Sequence, residues 1–460
     1  MMKRRNFISR TSAGILATII SPGIWKIDLH ERKEVHINFK PYRKGDTLVP
    51  ILQVSPDNGY YIHSFYDICP WSPDGKLLLI NKLPYQGKKP RRGDESEICI
   101  INLQRQTIRT IYKTKSWSFQ VGANAQWDSF SNRYVYSNDL IDNQVVCVRI
   151  DIVTNEVVAF AGPKYDVSPC GRFVVGPNLD YLNITQYGYS LPDPESGIPN
   201  QYRKDQMDSE GLWITDLKNN SKRLLASYNE IYHHAAEDDK QLYKEGVYYG
   251  FHTKFNRKGN RIMFVFRCLF EGKGRNASLF TINTDGSEIV QCLSHEKWNQ
   301  KAESGGSGNH PNWHPDGEHI VMNTVPAWLG YKNMLFSMFK YDGSDFKILT
   351  DHHLGSGHPS VDPKTRYLVS DAYIKQSWIV KNNEIPIRLI DLEKNREYTL
   401  CTVLNDVGNE GKMYSESGGS HFKLDPHPAW SRDYQKICFN GAPNGRRQVF
   451  IADIQEITNQ

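Results

Sequence analysis

His310-Pro311-Asn312-Trp313-His314-Pro315-Asp316-Gly317 is a stretch that the chain repeats in altered form. It returns as His358-Pro359-Ser360-Val361-Asp362-Pro363 and as His427-Pro428-Ala429-Trp430-Ser431, with a looser copy at His252-Thr253-Lys254-Phe255-Asn256 closed by Gly259. In every copy a histidine stands three residues before a large apolar residue, and a tight turn follows. A unit that recurs in this way marks a repeat architecture, in which equivalent positions occupy equivalent places in space.

Three further units share the turn without the histidine. Cys69-Pro70-Trp71-Ser72-Pro73-Asp74-Gly75 leads into the apolar run Leu77 to Ile80. Asn124-Ala125-Gln126-Trp127-Asp128 leads into Arg133 to Tyr136. Lys164-Tyr165-Asp166-Val167-Ser168-Pro169-Cys170-Gly171 leads into Phe173 to Val175. The logic of each unit is the same: a short strand, a Pro-Asp-Gly type reversal with glycine supplying positive φ, then further apolar strands. No long amphipathic helix competes. About seven small antiparallel sheets in one chain predict an all-β fold, a seven-bladed β-propeller forming one large domain. The last unit has room for only three strands. The alternating stretch 35–39 is therefore expected to complete that blade and close the ring, hiding the open edges. On this reading the tryptophans Trp71, Trp127, Trp313 and Trp430 pack between blades, and the Pro-Asp-Gly turns carry no chemistry.

The 460-residue chain has a net charge of +5, too small to imply nucleic acid, and compatible with an acidic small substrate. Lys3-Arg4-Arg5-Asn6-Phe7-Ile8 precedes a short, weakly apolar stretch ending at Ser21-Pro22-Gly23, which resembles a twin-arginine export signal. That run is too short to span a bilayer. Residues 1–25 are thus expected to be a signal and 26–460 an exported, periplasmic, monomeric propeller with no membrane anchor. The eight cysteines fit neither a zinc knuckle nor a CxxC pair, and several sit in apolar strand-like runs, where thiols pack as small hydrophobes.

Two stretches exceed what a blade needs. One is an insertion at about 178–248, holding Tyr187-Gly188-Tyr189 and Tyr202-Arg203-Lys204. The other is the Gly/Ser-rich segment 301–309, with a similar segment at 415–420. Long loops on a rigid scaffold tend to shape binding sites. Tyr187, Tyr189, Tyr202 and Asn309 are accordingly read as substrate-binding.

The innermost strand of each blade lines the channel, so His252, His310, His358 and His427 should meet at its mouth from four consecutive blades. Imidazoles from separate strands can ligate a divalent metal, and they can serve as base and acid. Arg267 lies on the strand after His252 and suits a carboxylate, which an arginine grips bidentately. Tyr248 and Tyr249 lie just before His252. No Gly-x-Ser-x-Gly elbow and no phosphate loop is present, which disfavours a peptidase-type hydrolase or a nucleotide enzyme.

Units reading His-Pro-x-Trp-x-Pro-Asp-Gly, with histidines in the later blades, resemble the bacterial propeller polysaccharide lyases. The oligogalacturonate lyases share the pattern and a His-Pro in the last blade. Here the sequence is Asp425-Pro426-His427-Pro428, where that family would show His-Pro-His-Pro after a Gln; Asp425 and Phe422 take those two places. The signal, length and insertion are similar to the lyases of polysaccharide lyase family 27, which cut L-rhamnose-α-1,4-D-glucuronate, and ulvan lyases of propeller fold cut a related linkage. The resemblance implies β-elimination on a uronic-acid glycan, assisted by a divalent metal such as Ca, Mn or Zn. It implies His310, His358 and His427 as metal ligands and His252 as base. Arg267 or Arg203 would then hold the carboxylate, with Tyr249 a reserve acid or base. The alternatives are an oligogalacturonate lyase and a non-catalytic periplasmic propeller that binds a partner. A propeller glycosidase is disfavoured, because the inner positions are rich in histidine rather than in the paired carboxylates it needs.

Overall fold

Each Pro-Asp-Gly turn ties its strands together with its own side chains. In the first, the Ser72 hydroxyl donates to the Asp74 carboxylate at 2.6 Å and accepts from the Leu77 amide at 3.0 Å, and Gly75 takes φ +72°. The strands that these turns connect are buried along nearly their whole length, as in Leu77–Leu83 and Lys436–Gly441. Strands covered on both faces must pack sheet against sheet. The computed structural model, which describes residues 24–26, 33–186, 188–192, 207–270, 274–407 and 424–459, shows the outcome. Seven antiparallel sheets follow one another in chain order as the blades of a propeller.

Blades 1 to 7 begin with the inner strands Tyr60–Ile62, Gln126–Trp127, Asp166–Val167, Val247–Phe255, Asn309–Trp313, Ser360–Val361 and Ala429–Trp430. The motif tryptophans join adjacent blades. The Trp127 indole donates to the Pro70 carbonyl of blade 1, and that of Trp313 to the Lys254 carbonyl of blade 4, both at 3.0 Å. Blade 7 takes its fourth strand from the N-terminal part of the chain, which closes the ring with backbone hydrogen bonds.

Two sequence expectations need correction. The closing strand is Ile51–Gln53, paired with Gln448–Asp453, and Lys40–Pro41 adds a fifth strand outside it. The stretch expected to close the ring instead supplies Val35–His36 to the outer edge of blade 1, against Thr107–Thr114. Alternation alone could not distinguish the two, because edge strands of neighbouring blades share it. Ile24–Lys26 adds likewise to blade 2, at the expected boundary between signal and fold. The second correction concerns the insertion. Gly211–Asp216 and Ser221–Ser227 lie inside it but are the two outer strands of blade 3. The extra material is therefore two pieces, one carrying the helix Leu179–Thr185 and the other the helices Tyr228–His233 and Glu237–Tyr243. All eight cysteines are free thiols, and six are buried.

Candidate active site

The histidines reach the axis through a repeated backbone device. In blade 4, Phe251 pairs with Val265 and Lys254 with Met263, so His252 and Thr253 oppose the single residue Phe264. In blade 5, His310 and Pro311 likewise oppose Met322. Each is a β-bulge, which kinks the strand and re-aims its side chain. The first bulge residue takes left-handed backbone: φ is +51° at His252, +52° at His310 and +50° at His427. In blade 6 the left-handed residue is Gly357, just before His358. Left-handed φ in a non-glycine residue is uncommon and gathers where structure and function over-determine the backbone.

The four imidazoles converge. Ring centroids are 5.9 Å apart for His252 and His310, 4.0 Å for His310 and His358, and 4.4 Å for His358 and His427. Beneath them lies a plug that the repeat pattern concealed. In blade 1, Ile62 pairs with Asn81 and Trp71 with Leu78, so residues 63–70 bulge out against only Leu79 and Ile80. The bulge drives Phe65 and Tyr66 into the channel. Phe65 stacks on His252 at 5.6 Å and meets His427 edge-on at 4.5 Å; Tyr66 sits 5.2 Å from His358 and 5.7 Å from His310. One residue further on, Asp67 forms a buried ion pair with Lys254.

Residues flanking the strands of blade 6 orient the rings. The His358 Nδ1 lies 2.8 Å from Asp371 Oδ1, and the same carboxylate accepts the backbone amides of His358 at 2.8 Å and His427 at 3.1 Å. His310 Nδ1 lies 2.9 Å from the Gly357 carbonyl and 2.7 Å from the Tyr373 hydroxyl, which also donates to that carbonyl at 3.2 Å. His358, Asp425 and His427 each place a ligand atom within 4.8 Å of the others, all buried. Two imidazoles and a carboxylate form a mixed N/O donor set suited to a first-row divalent ion. The residues present therefore fit such an ion. Asp425 joins His358 and His427 in that set, whereas the sequence reading placed His310 there; His310 adjoins it through His358.

His252 stands at the other end of the row. Burial first, then the positive charges of Lys254 and Arg267 and the neighbouring imidazoles, hold it well below the ordinary histidine value. The ring is thus held in its neutral form. Arg267 stacks over the Phe251 ring at 4.9 Å and donates to Gln186. Tyr249 is its cross-strand neighbour and is buried. Tyr189 packs edge-on against Phe65 and Phe251, at 5.9 and 5.2 Å, and so reaches the aromatic shell of the histidines. Asn309 borders the site, but its amide is engaged within blade 5, donating to Ser307 O and accepting from Asn323, both at 2.8 Å. Tyr187, Tyr202 and Arg203 lie outside the described residues.

Asp371 and Tyr373 escaped the sequence reading because neither belongs to the His-x-x-aromatic unit; His63-Ser64-Phe65-Tyr66 has that spacing, but no Pro-Asp-Gly type reversal follows it directly, so it falls outside the repeated units. A usable signal existed for Asp371: it stands just past the second strand of blade 6, Tyr367–Ser370, at the place where four other blades carry Asn.

No family model and no curated protein matches the sequence. Among solved structures, the chain is similar to an oligogalacturonate lyase in complex with manganese, with TM-score 0.64 and 13% identity, covering 94% of this chain and all of that one. It is also similar to an oligogalacturonate lyase from Vibrio parahaemolyticus, with TM-score 0.61 and 13% identity, covering 92% and 98%. These likenesses establish the propeller fold.

Proposed function

We propose that the protein is a polysaccharide lyase that cleaves a uronic-acid glycan by β-elimination at the axial histidine cluster. The observation that carries this reading is the convergence of four imidazoles from separate blades, with the buried carboxylates Asp425 and Asp371 beside His358 and an arginine near the neutral His252. The likeness to two lyases of the same propeller fold supports it.

The chemistry asks for three things. The C5 proton of a uronate is weakly acidic until its carboxylate is neutralised, because negative charge builds there in the transition state. Arg267, beside His252, would hold that carboxylate. A divalent ion held by His358, His427 and Asp425, with His310 adjoining, would add positive charge at the same group. His252 then takes the C5 proton, the C4–C5 double bond forms, and the bond to O4 breaks. The departing oxygen takes a proton from His252 or from Tyr249. In glucuronate the C5 proton and O4 share one face of the sugar, so a single residue can serve both steps. The enclosing aromatics exclude water and raise the strength of each electrostatic contact.

The linkage itself has two supported readings. Asp425 in place of the histidine expected of oligogalacturonate lyases, together with the chain's length and insertion, supports L-rhamnose-α-1,4-D-glucuronate. The solved structures favour oligogalacturonate. Incubation with a rhamnose–glucuronate glycan, ulvan and oligogalacturonate, each with and without EDTA, decides among them through the ultraviolet absorbance of the unsaturated uronate product. Absence of that absorbance on every uronic-acid glycan, with manganese supplied, would overturn the lyase reading in favour of a partner-binding propeller. Export to the periplasm on the Arg4-Arg5 segment is part of the same proposal, and fractionation of cells expressing the Arg4→Lys, Arg5→Lys double variant tests it.

A further inference from the structure

Opposite the bulge, five blades carry a buried polar residue, on the second strand or just past it, that reaches the next blade. Asn81 accepts from the Ala123 amide at 3.1 Å, and Asn138 from the Lys164 amide at 2.7 Å. Asn323 donates to the Gly357 carbonyl at 2.8 Å, and Asn440 accepts from the His63 amide at 3.0 Å. Asp371 accepts from the His427 amide at 3.1 Å. Asn81 and Asn323 pair with Ile62 and Asn309, the residues that precede their bulges. Asn138, Asp371 and Asn440 stand two residues past Tyr136, Val369 and Cys438, which pair with Gln126, Ser360 and Ala429, the same offset that Asn323 has from Val321. All are at most 2% exposed. The blade-to-blade latch thus needs only an amide, and four blades use one.

Blade 6 alone among the five holds a carboxylate, and it alone has an imidazole on it: His358 Nδ1 lies 2.8 and 3.1 Å from the two Asp371 oxygens. Burying a charge is costly unless it is matched, so an aspartate at a position where asparagine suffices calls for a separate cause. We infer that Asp371 is a positioning residue of the metal-binding site, which orients His358 through its Nδ1–H and makes Nε2 the ligand atom. The carboxylate fixes the tautomer and raises the basicity of the imidazole. Its second oxygen holds the backbone of His427, so one side chain sets two ligands from two blades. This rests on the reading that the cluster takes a divalent ion.

The latch supplies the test, since Asp371→Asn restores what the other four blades already carry. Mn²⁺ titration, thermal unfolding and nitrogen-15 spectra of the histidines are compared for the wild type and this variant. We expect an unchanged melting temperature, a 10- to 100-fold loss of Mn²⁺ affinity, and loss of the Nδ1–H tautomer of His358. Mn²⁺ binding as tight as in the wild type would overturn the role of Asp371 and leave the metal reading standing. A variant that melts many degrees lower would show the carboxylate to be architectural, and the inference falls. A wild type that takes up no Mn²⁺ removes the metal reading and the role of Asp371 with it.

Discussion

Lys254 and Asp67 form an ion pair sealed within the channel, each side chain only 6% exposed. Lys254 comes from the bulged strand of blade 4 and Asp67 from the blade 1 plug. The ammonium also donates to the Pro311 carbonyl of blade 5 at 2.9 Å, which the Tyr66 hydroxyl shares at 3.0 Å. Three blades are thus joined under the histidines. Removing one partner of a buried pair leaves the other charge without its counter-ion to offset its desolvation. Asp67→Asn should therefore destabilise the fold by roughly 3–5 kcal/mol in denaturant melts. Asp67→Leu with Lys254→Met, which removes both charges, should recover most of that loss. Equal losses for the single and double variants would contradict the pairing.

Gly357 is where backbone conformation and ligand placement meet. Its φ is +62°, and a Cβ there would run into the Asp371 carboxylate and carbonyl. Its own carbonyl receives the Asn323 amide and faces His310 Nδ1 at 2.9 Å. Gly357→Ala should cost at least about 2 kcal/mol of stability, combining left-handed strain with the clash. Because the same peptide seats His310 and Asp371, Mn²⁺ affinity should fall in parallel. Stability lost with full affinity would separate the turn from the site.

The seven-bladed architecture was legible in the sequence because one unit recurs, with strand, turn and glycine each constrained by local physics. Convergence of His252, His310, His358 and His427 followed from the repeat alone, since equivalent positions of consecutive blades face one channel. What stayed hidden depends on long-range placement. Nothing local marks residues 63–70 as a bulge that fills the axis, because Phe65 and Tyr66 read in the sequence as ordinary core aromatics. Asp371 and Tyr373 act across blades from the end of a second strand, where the motif is silent. The choice of Ile51–Gln53 over residues 35–39 as closing strand was set by which edge each reaches.

His63 makes stability depend on pH. It is fully buried, beside the carbonyls of Pro426 and His427, and burial pushes its value from 6.5 down to about 4. The unfolded chain takes up this proton below pH 6.5, while the native ring stays neutral until about 4. The stability associated with His63 is therefore full above pH 6.5 and lost progressively as pH falls through this window. At about 1.4 kcal/mol per pH unit, the loss is on the order of 3 kcal/mol. His63→Gln should flatten that part of the acid limb in melts taken across the window. A limb of unchanged slope would mean that another group carries it.

His252 offers a direct contest between strain and function. It holds left-handed backbone, its Nδ1 has no hydrogen-bond partner among the described residues, and it is 2% exposed. Left-handed φ costs an ordinary L-residue roughly 1–2 kcal/mol, and asparagine tolerates it better. An unpartnered buried polar atom adds to the cost. A residue kept there for packing should be replaceable only at a loss, whereas one kept for chemistry should be replaceable with no loss of stability. His252→Asn is therefore expected to melt at or above the wild-type temperature, while turnover of the uronate glycan falls by roughly 10²- to 10⁴-fold, as for removal of a general base. Mn²⁺ affinity, set at the opposite end of the histidine row, should be nearly unaffected. Retained turnover would rule out His252 as the base, and a melting temperature many degrees lower would make its ring a packing element beside Phe65.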